Sequence, residues 1–327
     1  MPTSNVSISF TAAGTIPIKV ALHERLVSGM LNQHFIRPVH VQVIPTNKCN
    51  LHCAFCSCRD RDPYQELALH PLLGCLQDFR QLGCEAVTIT GGGEPLLYKG
   101  LPELIGHCHN LGIGVGLVTN GSLLQDMDPS VLSLLRWCRI SCADGRKTDF
   151  TQLGGVLALT PNVDWAFSYV LSGEPNYSRL EDHILFASSR GMTHVRVVPD
   201  LCQSGPHMDS MVHEAKIAML ARGVDISTVI FQDRAHTCRG GAYCRISLLK
   251  PVLAADGWIY PCCGVQYASD DAPHDMTPSM RMCPMGEVKD FWSCQQPFDG
   301  RRCDHCHYMG YNSLLESIPK IRHREFV

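Results

Sequence analysis

Three cysteines within eight residues open the chemical case. Cys49, Cys53 and Cys56 stand at the spacing C-x3-C-x2-C in CNLHCAFC, directly after a strand-like run. Three thiolates so close together can wrap one face of an iron–sulfur cube, which takes four ligands when closed. Three protein ligands leave one iron open, and an open metal position is what catalysis requires. A zinc knuckle completed by Cys58 or His52, or a structural cluster with a distant fourth cysteine, would use the same residues. A second concentration runs from 238 to 306. Seventeen residues separate Cys244 from Cys262, Gly257 lies five before Cys262, and CDHC supplies Cys303 and Cys306. Four thiolates close a [4Fe–4S] cluster. A four-cysteine zinc ribbon and, for CDHCH, a haem-attachment motif are the rival readings. Scattered cysteines such as Cys75, Cys84, Cys108, Cys138, Cys142 and Cys202 read as small buried hydrophobes.

The whole chain bounds these readings. It has 327 residues, 18 of them cysteine, and a net charge of −3. With no basic, apolar leader at the N-terminus, the expectation is a reducing, cytoplasmic setting, in which clustered cysteines bind metal rather than pair as disulfides. The charge gives no electrostatic footprint for duplex nucleic acid or an anionic membrane. No apolar run is long enough to span a bilayer.

Short apolar runs at 40–45, 86–90, 113–120, 139–142, 165–171 and 194–199 alternate with helical stretches at 66–83, 101–111, 126–136, 178–190 and 210–222. Such alternation predicts right-handed βαβ units and a parallel sheet: an α/β partial barrel of six units, too few for a closed eight-stranded one. Functional groups should gather at the C-terminal ends of its strands. The expected division is an N-terminal extension (1–38), the partial barrel (39–235), a small cysteine-rich domain (236–314) and a basic tail (315–327). In the third part, RISLLKPVLAADGWIYPCC reads as two strands joined by an Ala-Asp-Gly turn, a hairpin that would bring Cys244 and Cys262 together. That part looks too small to fold on burial alone.

Over residues 40 to about 235 the sequence resembles the radical S-adenosylmethionine (radical SAM) family. Phe55 fills the aromatic slot of the family's C-x3-C-x-aromatic-C motif. GGGEP matches its Gly-Gly-Glu-Pro segment at Gly92, Gly93, Glu94 and Pro95. Glycines let backbone carbonyls approach a ligand, and a carboxylate suits the α-ammonium of methionine. VTNG places Thr119 and Asn120 at the end of the third strand. Ser141 ends the fourth, where a ribose contact is usual. The family often has Ser-x-Asp there, whereas Cys142 and Ala143 separate Ser141 from Asp144.

The resemblance implies a SAM-binding [4Fe–4S] cluster on Cys49, Cys53 and Cys56 and reductive cleavage of SAM to a 5′-deoxyadenosyl radical. That radical would abstract hydrogen from a substrate C–H bond, with a reductant such as flavodoxin or ferredoxin as electron source. The C-x12-G-x4-C pattern resembles the start of the family's SPASM and twitch auxiliary domains. No cysteine follows Cys306 at the spacing of a full SPASM domain, which favours the single-cluster twitch form on Cys244, Cys262, Cys303 and Cys306. Cys58, Cys238, Cys263, Cys283 and Cys294 are left without a role. Three substrate classes are compatible: a small polar or conjugated molecule, which the absence of a basic stripe favours; a modified thymidine base in DNA, since 38–62 resembles phage-borne radical SAM proteins; and a peptide. A peptide-modifying maturase commonly has a leader-binding domain of about a hundred residues, more than the 38 before the first strand. A DNA substrate would need its base flipped out and a phosphate-binding face, for which Arg234, Arg239, Arg245, Arg301, Arg302, Lys320, Arg322 and Arg324 are the candidates. A non-catalytic iron–sulfur or zinc protein would need neither the Gly92–Pro95 segment nor Phe55.

Overall fold

The computed structural model describes residues 16–32, 35–232, 238–266 and 278–320. Their strands form one ten-stranded sheet. Seven run parallel and in sequence order: β1 (His40–Val43), β2 (Ala86–Ile89), β3 (Gly114–Thr119), β4 (Trp137–Ala143), β5 (Asp164–Leu171), β6 (His194–Pro199) and β7 (Val229–Phe231). The six expected strands are all there. β7 is an addition whose three residues are too short for a readable alternation.

Helices α1 (Ile16–Leu22) and α2 (Glu24–Asn32) precede the sheet. The crossovers carry α3 (Leu69–Leu82), α4 (Leu101–Asn110), α5 (Pro129–Leu132), α6 (Phe150–Leu159), α7 (Tyr177–Ser189) and α8 (Gly205–Ala221). Where 126–136 predicts a full helix, only the four-residue α5 forms, started by the Asp128 carboxylate on the Ser130 N–H. Helix α6 went unread because Gly154 and Gly155 sit at its centre, where glycine is unfavourable. Asp149 compensates by accepting from the N–H groups of Thr151 and Gln152, both at 3.0 Å, and Leu153 and Val156 are buried beneath it.

The C-terminal segment continues the same sheet. β8 (Val252–Leu253) pairs parallel with β1, and β9 (Trp258–Tyr260) and β10 (Cys283–Pro284) follow antiparallel. β8 and β9 form the expected hairpin, with Gly257 at φ 80° in its turn. RISLL is not its first strand: Ile246–Leu249 is a helical turn, α9, placed before β8. Two more helices follow, α10 (Val288–Cys294) and α11 (Met309–Ser317). Trp292 of α10 is fully buried, meets Phe79 of α3 edge-on at 5.3 Å and donates its indole N–H to the Leu248 carbonyl at 3.1 Å. Lys289 pairs with Asp78 of α3 at 2.8 Å. Ile259, Tyr260, Val288 and Trp292 thus belong to one core with the barrel, so this segment is held by apolar burial. No helix among the described residues is long and apolar enough to cross a membrane.

Candidate functional site

The C-terminal ends of β1 to β4 converge on one place. The Cys49–Cys56 loop leaves β1, and Cys56 donates its N–H to the Cys53 carbonyl at 3.0 Å, curling the loop. Cys49 is exposed, and Cys53 and Cys56 are half-buried. Burial pushes the Cys49 thiol up. A hydrogen bond from the Cys58 thiol holds Cys56 down, to about 7, while Cys58 itself is pushed well up by that bond and by burial. Phe55 lies under the guanidinium of Arg146 at 5.5 Å, and Arg146 donates to the Ser141 hydroxyl at 3.0 Å.

The glycine run after β2 is pressed against the base of the cysteine loop. Gly93 donates to the Thr46 carbonyl at 3.1 Å and Glu94 to the Lys48 carbonyl at 2.7 Å. A Cβ on Gly93 would stand 1.9 Å from the Lys48 carbonyl oxygen, and one on Gly92 2.0 Å from the Asn47 side-chain oxygen. Only glycine allows that approach. Pro95 begins the following single turn.

Glu94 is 2% exposed, and its carboxylate is taken up within the chain. It accepts from the Leu96 N–H at 3.0 Å, the Thr119 hydroxyl at 2.6 Å and the Asn120 N–H at 2.7 Å. Burial still raises its pKa. The carboxylate therefore ties the β2 loop to the end of β3, and the loop's carbonyls are left as the groups available to an ammonium. Asp144 is likewise consumed, accepting from the Tyr169 hydroxyl at 2.8 Å and from the N–H groups of Ser172 and Asn176 at 2.7 and 2.9 Å. Of the two candidates for a ribose contact, Ser141 is the one facing the open space.

That space is a cavity of about 470 Å³ between the strand ends and α6. Asn120, Ser141, Arg146 and Gln152 are polar members of its lining; Leu124, Ile140, Leu153 and Val156 give it an apolar floor. Leu51 of the cysteine loop also lines it. Asn120 and Ser122 bind the loop through Asn50, both at 2.9 Å. Arg146, Gln152 and Asn50 were not foreseen as site residues. The Gly-Arg-Lys run straight after the fourth strand was the one available signal.

The second set of thiols assembles differently from the expected hairpin. Cys262 follows β9, but Cys244 is delivered by a bridge to Phe298, its N–H on the Phe298 carbonyl at 2.9 Å. Cys262 interacts electrostatically with Cys244 and Cys303, and Cys303 with Cys244 and Cys306. Burial raises all four thiols, Cys244 to about 11 and Cys303 to about 12. Cys263 turns aside to the Tyr308 hydroxyl at 2.9 Å, while Cys283 is buried and Cys294 exposed. Among the described residues no group of three or more His, Cys, Asp or Glu side chains is placed to hold a single metal ion.

Of the five candidate phosphate contacts among the described residues, Arg301, Arg302 and Lys320 are engaged within the chain. Arg301 pairs with Asp299 at 2.8 Å, Arg302 donates to the Ser279 carbonyl at 2.9 Å and Lys320 pairs with Glu316 at 3.1 Å. Arg234, Arg322 and Arg324 lie outside the described residues.

The family model of the radical SAM superfamily matches residues 43–139, the stretch that holds the cysteine loop, the glycine run and the end of β3. Over that stretch the chain is similar to the radical SAM superfamily. That family uses a [4Fe–4S] cluster and S-adenosylmethionine. Among curated proteins, the radical SAM segment is similar to the sporulation killing factor maturation protein SkfB of Bacillus subtilis, 32% identical over 39% of this chain and 31% of that protein. It is also similar to a probable GTP 3′,8-cyclase of Archaeoglobus fulgidus, 34% identical over 29% of this chain and 32% of that one. The match thus spans about a third of each relative's length. In fold, the chain resembles SuiB of Streptococcus suis, solved bound to the precursor peptide SuiA, with a TM-score of 0.57 at 15% identity over 97% of this chain and 81% of that one. It also resembles anSMEcpe, solved with AdoMet and the Kp18Cys peptide, with a TM-score of 0.54 at 13% identity over 79% of this chain and 80% of that one.

Proposed function

We propose that this chain is a radical SAM enzyme with a second, auxiliary [4Fe–4S] cluster. The observation that carries the reading is the convergence of three cysteines on one loop with the Gly91–Gly93 turn and the cavity at the ends of β3 and β4. Cys49, Cys53 and Cys56 hold the first cluster, and Cys244, Cys262, Cys303 and Cys306 the second. When bound, the first cluster supplies the electron that cleaves S-adenosylmethionine, and the resulting 5′-deoxyadenosyl radical takes hydrogen from a substrate C–H bond.

The chain's own residues bind and orient. The carbonyls of the Gly91–Gly93 turn receive the ammonium of the methionine moiety. Ser141 and Asn120 meet the ribose at the cavity mouth, and the apolar floor of Leu124, Ile140, Leu153 and Val156 receives the adenine. At about 470 Å³ the cavity lies in the range of small-molecule sites. Phe55 and Arg146 close over the loop and exclude water from the reacting atoms. Four thiolates around the second cluster leave it no open position, which suits an electron acceptor for net oxidation or an aid to rearrangement.

For the substrate, a small polar or conjugated molecule accords with the net charge and with Arg301, Arg302 and Lys320 being spent within the chain. A peptide is the second reading, favoured by the likeness of the radical SAM segment to the maturation protein SkfB and to a PqqA peptide cyclase. The experiment is a screen of deuterated candidates with anaerobically reconstituted protein, dithionite and SAM. Deuterium in 5′-deoxyadenosine from a small molecule supports the first reading, and from a peptide the second. No 5′-deoxyadenosine under any condition refutes the enzyme assignment.

A further inference from the structure

A fifth thiol, Cys238, stands beside the four proposed ligands of the second cluster. We propose that Cys238 is a reserve ligand of the auxiliary cluster, able to take the place of Cys306. The proposal rests on the auxiliary-cluster reading above. Cys238 and Cys306 face each other in an isolated antiparallel bridge and exchange both backbone hydrogen bonds, Cys306 N–H to the Cys238 carbonyl at 2.7 Å and Cys238 N–H to the Cys306 carbonyl at 3.3 Å. Residues paired in this way have Cα atoms about 5.5 Å apart and side chains on the same face of the ladder. The Cys238 sulfur lies 3.8 Å from the Cys306 carbonyl oxygen. Both thiols thus address the same corner of the site.

The register that sets Cys238 opposite Cys306 is enforced, not incidental. The same two segments stay paired through Gly240 N–H on the Cys303 carbonyl at 2.9 Å and Cys244 N–H on the Phe298 carbonyl at 2.9 Å. Two glycines permit that closeness. A Cβ on Gly240 would lie 2.1 Å from the Gly300 carbonyl oxygen, and one on Gly300 2.6 Å from the Gly241 carbonyl oxygen. The ladder carries Cys244, Cys303 and Cys306, three of the four proposed ligands, so Cys238 is held in the same rigid frame. It differs from them in being exposed, and a cube has room for four thiolates only. The fifth therefore waits at the solvent edge.

The exchange would be redox-neutral: the Cys238 sulfur would bond to the iron as the Cys306 sulfur left it, and the proton of the Cys238 thiol would end on the Cys306 thiolate. The consequence is a cluster that survives loss of one ligand at its exposed corner.

The test uses the full chain, loaded anaerobically, with iodoacetamide as the probe and the Cys238 peptide followed by mass spectrometry. In the parent protein, with about eight irons per chain, Cys238 is alkylated. In Cys306→Ala the second cluster remains and Cys238 becomes protected several-fold. In Cys244→Ala, which removes a thiol that does not face Cys238, Cys238 stays reactive. The proposal is overturned if Cys238 reacts equally in Cys306→Ala and the parent, if Cys306→Ala loses the second cluster, or if Cys238 is already protected in the parent. A parent holding only about four irons refutes the auxiliary cluster itself and this inference with it.

Discussion

Replacing Glu94 distinguishes a carboxylate that binds the cofactor from one that holds two loops together. Its three donors, the N–H groups of Leu96 and Asn120 and the hydroxyl of Thr119, lie at 3.0, 2.7 and 2.6 Å. Glu94→Ala strands all three in a buried place, at about 1–3 kcal/mol for each donor left unsatisfied. The Thr119 hydroxyl can turn away, since it already accepts from the Gly121 N–H at 3.0 Å. With the Leu96 and Asn120 N–H groups left stranded, roughly 2–6 kcal/mol is therefore expected for Glu94→Ala. Glu94→Gln keeps one oxygen and faces one N–H with another, for roughly 1–3 kcal/mol. The assay is urea unfolding of the reconstituted protein beside SAM affinity by equilibrium dialysis. SAM affinity should follow stability in the order parent, Gln, Ala, because the glycine turn is displaced only as the latch loosens. A Glu94→Ala protein as stable as the parent but unable to bind SAM would refute the reasoning and make the carboxylate a direct ligand.

Gly93→Ala should abolish SAM binding with the fold retained in far-UV circular dichroism, because its Cβ would fall 1.9 Å from the Lys48 carbonyl oxygen at the root of the cysteine loop. Trp292→Ala should lower stability by about 3–5 kcal/mol, measured by urea unfolding; a loss below about 1 kcal/mol would mean that the C-terminal segment does not share the barrel's core. His194 is fully buried, and burial, with Arg139 and Arg196 beside it, holds it down to about 4. The unfolded chain then binds its proton first, so stability falls as pH drops from about 6.5 to about 4, by up to about 3 kcal/mol. In His194→Gln the acid limb of the stability profile should be flatter by that amount.

The parallel sheet was legible because each of its first six strands is an apolar run bounded by turn residues, and two chemical motifs sit at the strand ends where such sheets place function. Cys49, Gly93, Thr119 and Ser141 could therefore be brought together on paper. Three things could not. Glu94 carries the residue type of an ammonium ligand, yet its role depends on which donors surround it, and sequence is silent on that. The path of Cys244 was misread because RISLL, apolar and β-branched at its start, closes as a helical turn under Trp292 rather than extending as a strand. Cys238 gave no signal in spacing, because its link to Cys306 is a pairing across 68 residues. The separate small domain expected at the C-terminus is, within the described residues, a continuation of the barrel's sheet through β8. Trp292 joins that continuation to the barrel's core through Phe79, and a lone tryptophan in sequence does not name its partner.

The central claim is that Cys49, Cys53 and Cys56 hold the cluster that cleaves S-adenosylmethionine. The direct measurement is 5′-deoxyadenosine formed from SAM and dithionite by the anaerobically reconstituted protein with all three changed to alanine. The account predicts none above the protein-free background, with about four irons still bound at the second site. Continued formation of 5′-deoxyadenosine by the triple variant would contradict it.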